Sequence, residues 1–109
     1  AIGYHALLVM DAGADAYNVA MGYNAGAAVT TGIYNTLLGS NAGDSLTSGG
    51  YNVAIGNSAL QYETTYGYNI AIGSSALGSL RAGANAYNIA IGFNAFKSIR
   101  PSLYTSSSM

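Results

Sequence analysis

The sequence contains no cysteine and only seven charged side chains in 109 residues, three basic and four acidic. The missing cysteine excludes a disulfide framework and any thiolate metal site, and it assigns no redox compartment, since many extracellular proteins lack cysteine too. The scarcity of charge says more. Charged residues make up 6% of the chain against 50% hydrophobic, where soluble domains commonly have about a quarter charged. A domain of this length leaves much of its surface in contact with its surroundings, so a surface this poor in charge implies that partner chains cover part of it. Three basic residues in a chain of net charge −1 cannot supply the electrostatic footprint of a nucleic-acid binder. The uncharged run over residues 16–43 is long enough to cross a bilayer, but Asn18, Asn24, Asn35, Asn41 and several glycines lie within it. Each asparagine is costly in hydrocarbon, so no membrane insertion is expected. No basic segment and apolar core of a leader peptide open the chain. It begins at "AIG", the middle of a repeat unit, which suggests a segment of a longer protein.

What the chain has in abundance is repetition. "YNVAIG" at residues 51–56 returns as "YNIAIG" at 68 and 87, and more loosely as "YNVAMG" at 17 and "YNTLLG" at 34. Aligned on the motif glycine, the units fall at Gly3, Gly22, Gly39, Gly56, Gly73 and Gly92, with steps of 19, 17, 17, 17 and 19 residues. Ala6, Ala25, Ala42, Ala59, Ala76 and Ala95 then share one position three residues later. A unit this short cannot bury its own apolar face and does so against its neighbours, which is the logic of a stacked solenoid.

The local period identifies the element. Tyr51, Val53 and Ile55 alternate with Asn52, Ala54 and Gly56, the two-residue period of a strand. Recurrent Gly and Asn, with β-branched residues at strand spacing, disfavour a helix. Two membrane-spanning strands of about 9 to 11 residues with their turns do not fit in a 17-residue unit. The expected fold is therefore all-β, a parallel β-solenoid or β-roll with one coil per 17–19 residues. It covers residues 1–96 in about six coils, followed by a C-terminal cap or tip at 97–109.

Stacking coils about 4.8 Å apart puts equivalent residues into ladders. The expected structural ladders are Tyr17, Tyr34, Tyr51, Tyr68 and Tyr87, and Asn18, Asn35, Asn52, Asn69 and Asn88. Hydrophobicity suggests that the aliphatic pairs Val53/Ile55, Ile70/Ile72 and Ile89/Ile91 line the inside of the roll. The opposite strand face, Ala and Gly, then permits close approach of another chain, most simply around a threefold axis.

The stretches "NVAIGNSAL", "NIAIGSSAL" and "NIAIGFNAF" resemble the "SVAIG" repeats of YadA-like heads in trimeric autotransporter adhesins. They are also similar to the "NxAIGxxAL" repeats of bacteriophage tail fibres and related bacterial surface fibres, many of which carry a C-terminal intramolecular chaperone. The resemblance covers about residues 1–96, with a longer period and a Tyr beside the Asn where the adhesin heads have Ser. It implies a homotrimeric, non-enzymatic, extracellular fibre segment, on a virion tail fibre or a bacterial surface, that attaches to a cell-surface glycan or protein receptor. It also implies that Met109 is a processing scar left by a departing chaperone, which would set the register of three chains whose repeats are nearly alike.

Sites for chemistry are sparse. Asp11, Asp15, Asp44 and Glu63 occupy unrelated repeat positions and read as solvated loop charges rather than a catalytic carboxylate pair. His5, the only histidine, stands where other units have Asn or Ser and reads as a substitute for them rather than a metal ligand. The Gly-rich "GYNAG" lacks the lysine of a phosphate-binding loop. No cofactor, metal or catalytic residue is assigned. Aromatic rings stack on sugar faces, so Tyr4, Tyr23 and Phe93, each following a motif glycine, and Tyr104 in the tail are the candidate receptor contacts. The expected function is a structural and adhesive fibre segment. The alternative from another class is a monomeric ice-binding β-solenoid, weakened because the "TT" pairs at Thr30/Thr31 and Thr64/Thr65 do not recur in every coil.

Overall fold

The computed structural model describes residues 1–11, 16–80 and 87–96. The expected cap or tip at 97–109, with Tyr104 and Met109, lies outside them, as do Asp15 and residues 81–86.

Each complete motif forms a three-residue strand: β1 (Val19–Met21), β2 (Thr36–Leu38), β3 (Val53–Ile55), β4 (Ile70–Ile72) and β5 (Ile89–Ile91). They pair in parallel, in chain order, as one five-stranded sheet. The register advances by one whole repeat, so that Ala20, Leu37, Ala54, Ala71 and Ala90 lie side by side. An additional parallel bridge joins Ile2 to Met21. The fold is thus an all-β parallel solenoid with coils of about 17 residues.

The turns explain the rest of the motif. Ala42 N donates to Gly39 O at 3.2 Å and Ala59 N to Gly56 O at 3.1 Å, and the other units repeat this tight turn. Its third residue has φ near +60°: His5, Asn24, Asn41, Ser58, Ser75 and Asn94. Asn tolerates that left-handed region better than most residues, which accounts for its recurrence there. The motif glycine is required twice over. Gly56 has φ +129°, and a Cβ on it would come 2.7 Å from the backbone of Gly73 in the next coil. The tyrosines that open each strand are also left-handed, with φ between 51° and 63°. For a bulky residue this conformation costs about 1–2 kcal/mol, which ring stacking of about 0.5–1.5 kcal/mol per pair partly offsets.

The two strand faces are assigned opposite to expectation. Ala54 and Ala71 are fully buried, as is Leu37, whereas Ile89 and Ile91 are 63% and 67% exposed. Val19 and Met21 are exposed, and Val53, Ile55, Ile70 and Ile72 half-buried. The small face is the interior and the aliphatic face is the outside. The reason is space. A 17-residue coil is narrow, and its other walls already bring in the turn alanines Ala25, Ala42, Ala59 and Ala76 with Val29, Leu46, Leu60, Leu77 and Leu80. Large side chains from the strand as well would overfill it. Leu37 is the exception that fits the rule: a Cβ on Gly26 or Gly43 would meet its Cδ atoms at 2.7 or 2.8 Å. In the next two coils the equivalent pairs are Ala54 with Leu60 and Ala71 with Leu77. The coil of Leu37 thus reverses the small and large positions of the two coils that follow it.

Candidate functional surfaces

Immediately before each strand, the Asn column makes a continuous polar ladder. Asn52 Oδ1 accepts from Asn69 N at 3.0 Å and from Asn69 Nδ2 at 3.2 Å, and Asn35 Oδ1 accepts from Asn52 N at 3.0 Å and Asn52 Nδ2 at 3.1 Å. At one end Asn18 Oδ1 accepts from Asn35 N, and at the other Asn69 Oδ1 accepts from Asn88 N. The amide nitrogens of Asn18 and Asn35 turn instead to the carbonyls of Gly32 and Gly49. Asn35, Asn52 and Asn69 are fully buried, and a buried amide is stable only when hydrogen-bonded. The three buried members of this column are occupied in holding coils together.

The Tyr column lies outside. Successive ring centroids from Tyr17 through Tyr34, Tyr51 and Tyr68 to Tyr87 are 5.2, 5.0, 5.0 and 5.0 Å apart, with Tyr51 and Tyr68 within 3° of parallel. Because each internal ring covers its neighbour's face, the ladder presents ring edges and hydroxyls to its surroundings. Sugar stacking needs an open face, so the ladder's interior is poorly suited to it.

The column after the motif glycine differs. Tyr4 and Tyr23 stack at 5.6 Å and 8°, and His5 lies 3.8 Å from Tyr4. The next members are Ser40, Asn57 and Ser74, which carry no ring, and then Phe93. Among the described residues, Tyr23 and Phe93 therefore each have a ring face that no neighbour in their own column covers. The fold brings Tyr4 and Tyr23 together and puts Phe93 at the far end of the same column. Compared with family models, curated proteins and solved structures, the chain matches none.

Two further surfaces bear on function. The outer strand face is apolar apart from Thr36 in β2, with Val19, Met21, Ile89 and Ile91 exposed at its ends and no charged residue in any of the five strands. At another corner, Thr47 and Ser48 fall between Thr30/Thr31 and Thr64/Thr65, because Thr30 N donates to Thr47 O and Thr47 N to Thr64 O. Hydroxyl pairs therefore do recur, over three consecutive coils. The middle pair is Thr-Ser, so "TT" itself does not recur in every coil.

The carboxylates are not all solvated loop charges. Glu63 is 1% exposed, and its Oε1 accepts from Thr64 N at 2.8 Å. It occupies the column that Leu46 and Leu80 fill in neighbouring coils. Asp44 is half-buried, and burial raises its pKa above the ordinary 3.8 despite hydrogen bonds from Gln61 and Ser45. Asp11 is exposed and at another repeat position. Among the described residues no three His, Cys, Asp or Glu converge on a point.

Proposed function

We propose that this chain is a structural and adhesive segment of a homotrimeric extracellular fibre, on a virion tail or a bacterial surface, without enzymatic activity. The observation that carries the reading is the aliphatic outer strand face. Such a face, uncharged, apolar except at Thr36 and partly exposed along the sheet, is the kind of contiguous surface that serves association between chains. Three copies packing these faces around a common axis would bury them, whereas the alanine face is already used inside each chain. The resemblance of "NIAIGSSAL" and its companions to phage-fibre and adhesin repeats supports the same reading.

Attachment would fall to the open aromatic faces of Tyr23 and Phe93, through an apolar contact with the C–H face of a sugar. The deciding measurement is mass in solution. Sedimentation should give a trimer, and a stable 11.0 kDa monomer at low micromolar concentration would overturn the proposal. A glycan array probed with the assembly and with Tyr23→Ala and Phe93→Ala would test attachment.

A second reading has an observation of its own. The hydroxyl pairs Thr30/Thr31, Thr47/Ser48 and Thr64/Thr65 form two short columns at coil spacing, the kind of regular array that an ice-binding solenoid uses. Thermal hysteresis in a monomeric sample would favour it.

A further inference from the structure

The tyrosine ladder brings five oxidisable phenols into one exposed row. All five residues are between 40% and 68% exposed, and adjacent ring centroids are 5.0 to 5.2 Å apart. Their order is set by the coil register, so the same partners face each other for as long as the fold persists. Holding two reactants this way replaces a bimolecular encounter by an effectively unimolecular one.

We propose that the ladder is an oxidative modification site, at which a one-electron oxidant couples neighbouring tyrosines into dityrosine and so staples adjacent coils. The chemistry balances with two equivalents of oxidant per bond. Each of two tyrosines gives one electron to the oxidant and its phenolic proton to water, leaving phenoxyl radicals. These join through the carbons ortho to oxygen. Each coupled ring then loses its ortho hydrogen as a proton while its oxygen regains one, restoring two phenols. The pair has lost two electrons and two protons overall.

Stacking assists the step in a second way. A radical formed on any ring can be reduced by its neighbour, so two oxidations at separate points of the ladder can still bring two radicals onto adjacent rings. Tyr51 and Tyr68, at 5.0 Å and 3°, are the best-aligned pair. Tyr68 and Tyr87, tilted by 31°, are the least. The bond between Tyr51 and Tyr68 would close a covalent loop around one coil, as a disulfide would in a chain that has cysteine.

The test uses the full chain, dilute, oxidised with photogenerated tris(bipyridine)ruthenium(III). Blue biphenol fluorescence and peptide mapping read the product. The expected product is an intrachain bond between ladder neighbours, two hydrogens lighter than the parent, with a yield per chain independent of protein concentration. Tyr51→Phe keeps the ring stack but removes two of the four adjacent phenol pairs, so its peptide map should show only Tyr17–Tyr34 and Tyr68–Tyr87 bonds. Tyr62→Phe, outside the ladder, should leave the parent's map unchanged. Absence of biphenol, bonds formed through Tyr62 or Tyr66 instead, a yield that rises with protein concentration, or bonds in Tyr51→Phe between tyrosines that are not ladder neighbours would each overturn the proposal.

Discussion

Leu37 occupies the volume that Gly43 leaves empty: a Cβ on Gly43 would come 2.8 Å from Leu37 Cδ2. This pairing of large with small inside a narrow coil is what turns the aliphatic strand residues outward.

Gly43→Leu should destabilise the fold by overpacking, by about 1–3 kcal/mol, and Leu37→Ala by about 2–5 kcal/mol through the cavity left behind. The double variant recreates the Ala54 and Leu60 arrangement of the next coil. Its loss should be smaller than the sum of the single losses, measured by urea unfolding. Additive losses would mean that the two positions do not share a volume. For the same reason Ala54→Leu should lower the stability of the chain itself and not only its assembly.

Asn52→Ala removes the acceptor that serves Asn69 N and Asn69 Nδ2. With both donors buried, the expected loss is about 1–3 kcal/mol. A thermal melt checks it, and an unchanged midpoint would show that water replaces the amide at no cost.

Ile55→Lys with Ile72→Lys puts two like charges on the outer strand face and leaves the interior untouched. The mass in solution should fall to that of the monomer while the β-sheet circular dichroism of the chain persists. If the variant remains trimeric, the contact between chains lies on another face.

Asp44 gives a pH dependence whose sign can be worked out. Burial raises its folded pKa, so the folded chain binds the proton more tightly than the unfolded one. Stability from this group is present below the ordinary carboxylate pKa and is lost as pH rises through the raised folded value. Asp44→Asn removes the charge and keeps one oxygen acceptor, for either Gln61 or Ser45, which bond to different carboxylate oxygens. It should flatten that part of the stability profile and raise the melting temperature at neutral pH. A melting temperature at pH 7 below that of the parent would contradict this account.

Much of the architecture was legible in residue order alone. The alternation in "YNVAIG" identifies a strand and sorts Tyr51, Val53 and Ile55 from Asn52, Ala54 and Gly56. The spacing of the motif glycines sets one coil per repeat, and equal spacing implies ladders at every motif position. Some local detail was legible in principle and missed, such as Thr47/Ser48 standing between the two threonine pairs, and Asn recurring where the backbone turns left-handed. Burial of Glu63 was not legible, because nothing local distinguishes it from a loop charge.

Which strand face is inside was decided only by the tertiary structure. A period of two states which side chains share a face, but it carries no information about what lies across from them. That depends on the volume left by the remaining walls of the coil. With Leu46, Leu60, Leu77 and Leu80 already filling the interior, alanine fits opposite them and isoleucine does not. Close packing therefore outweighs the greater hydrophobicity of Val53 and Ile55 and sends them to the surface.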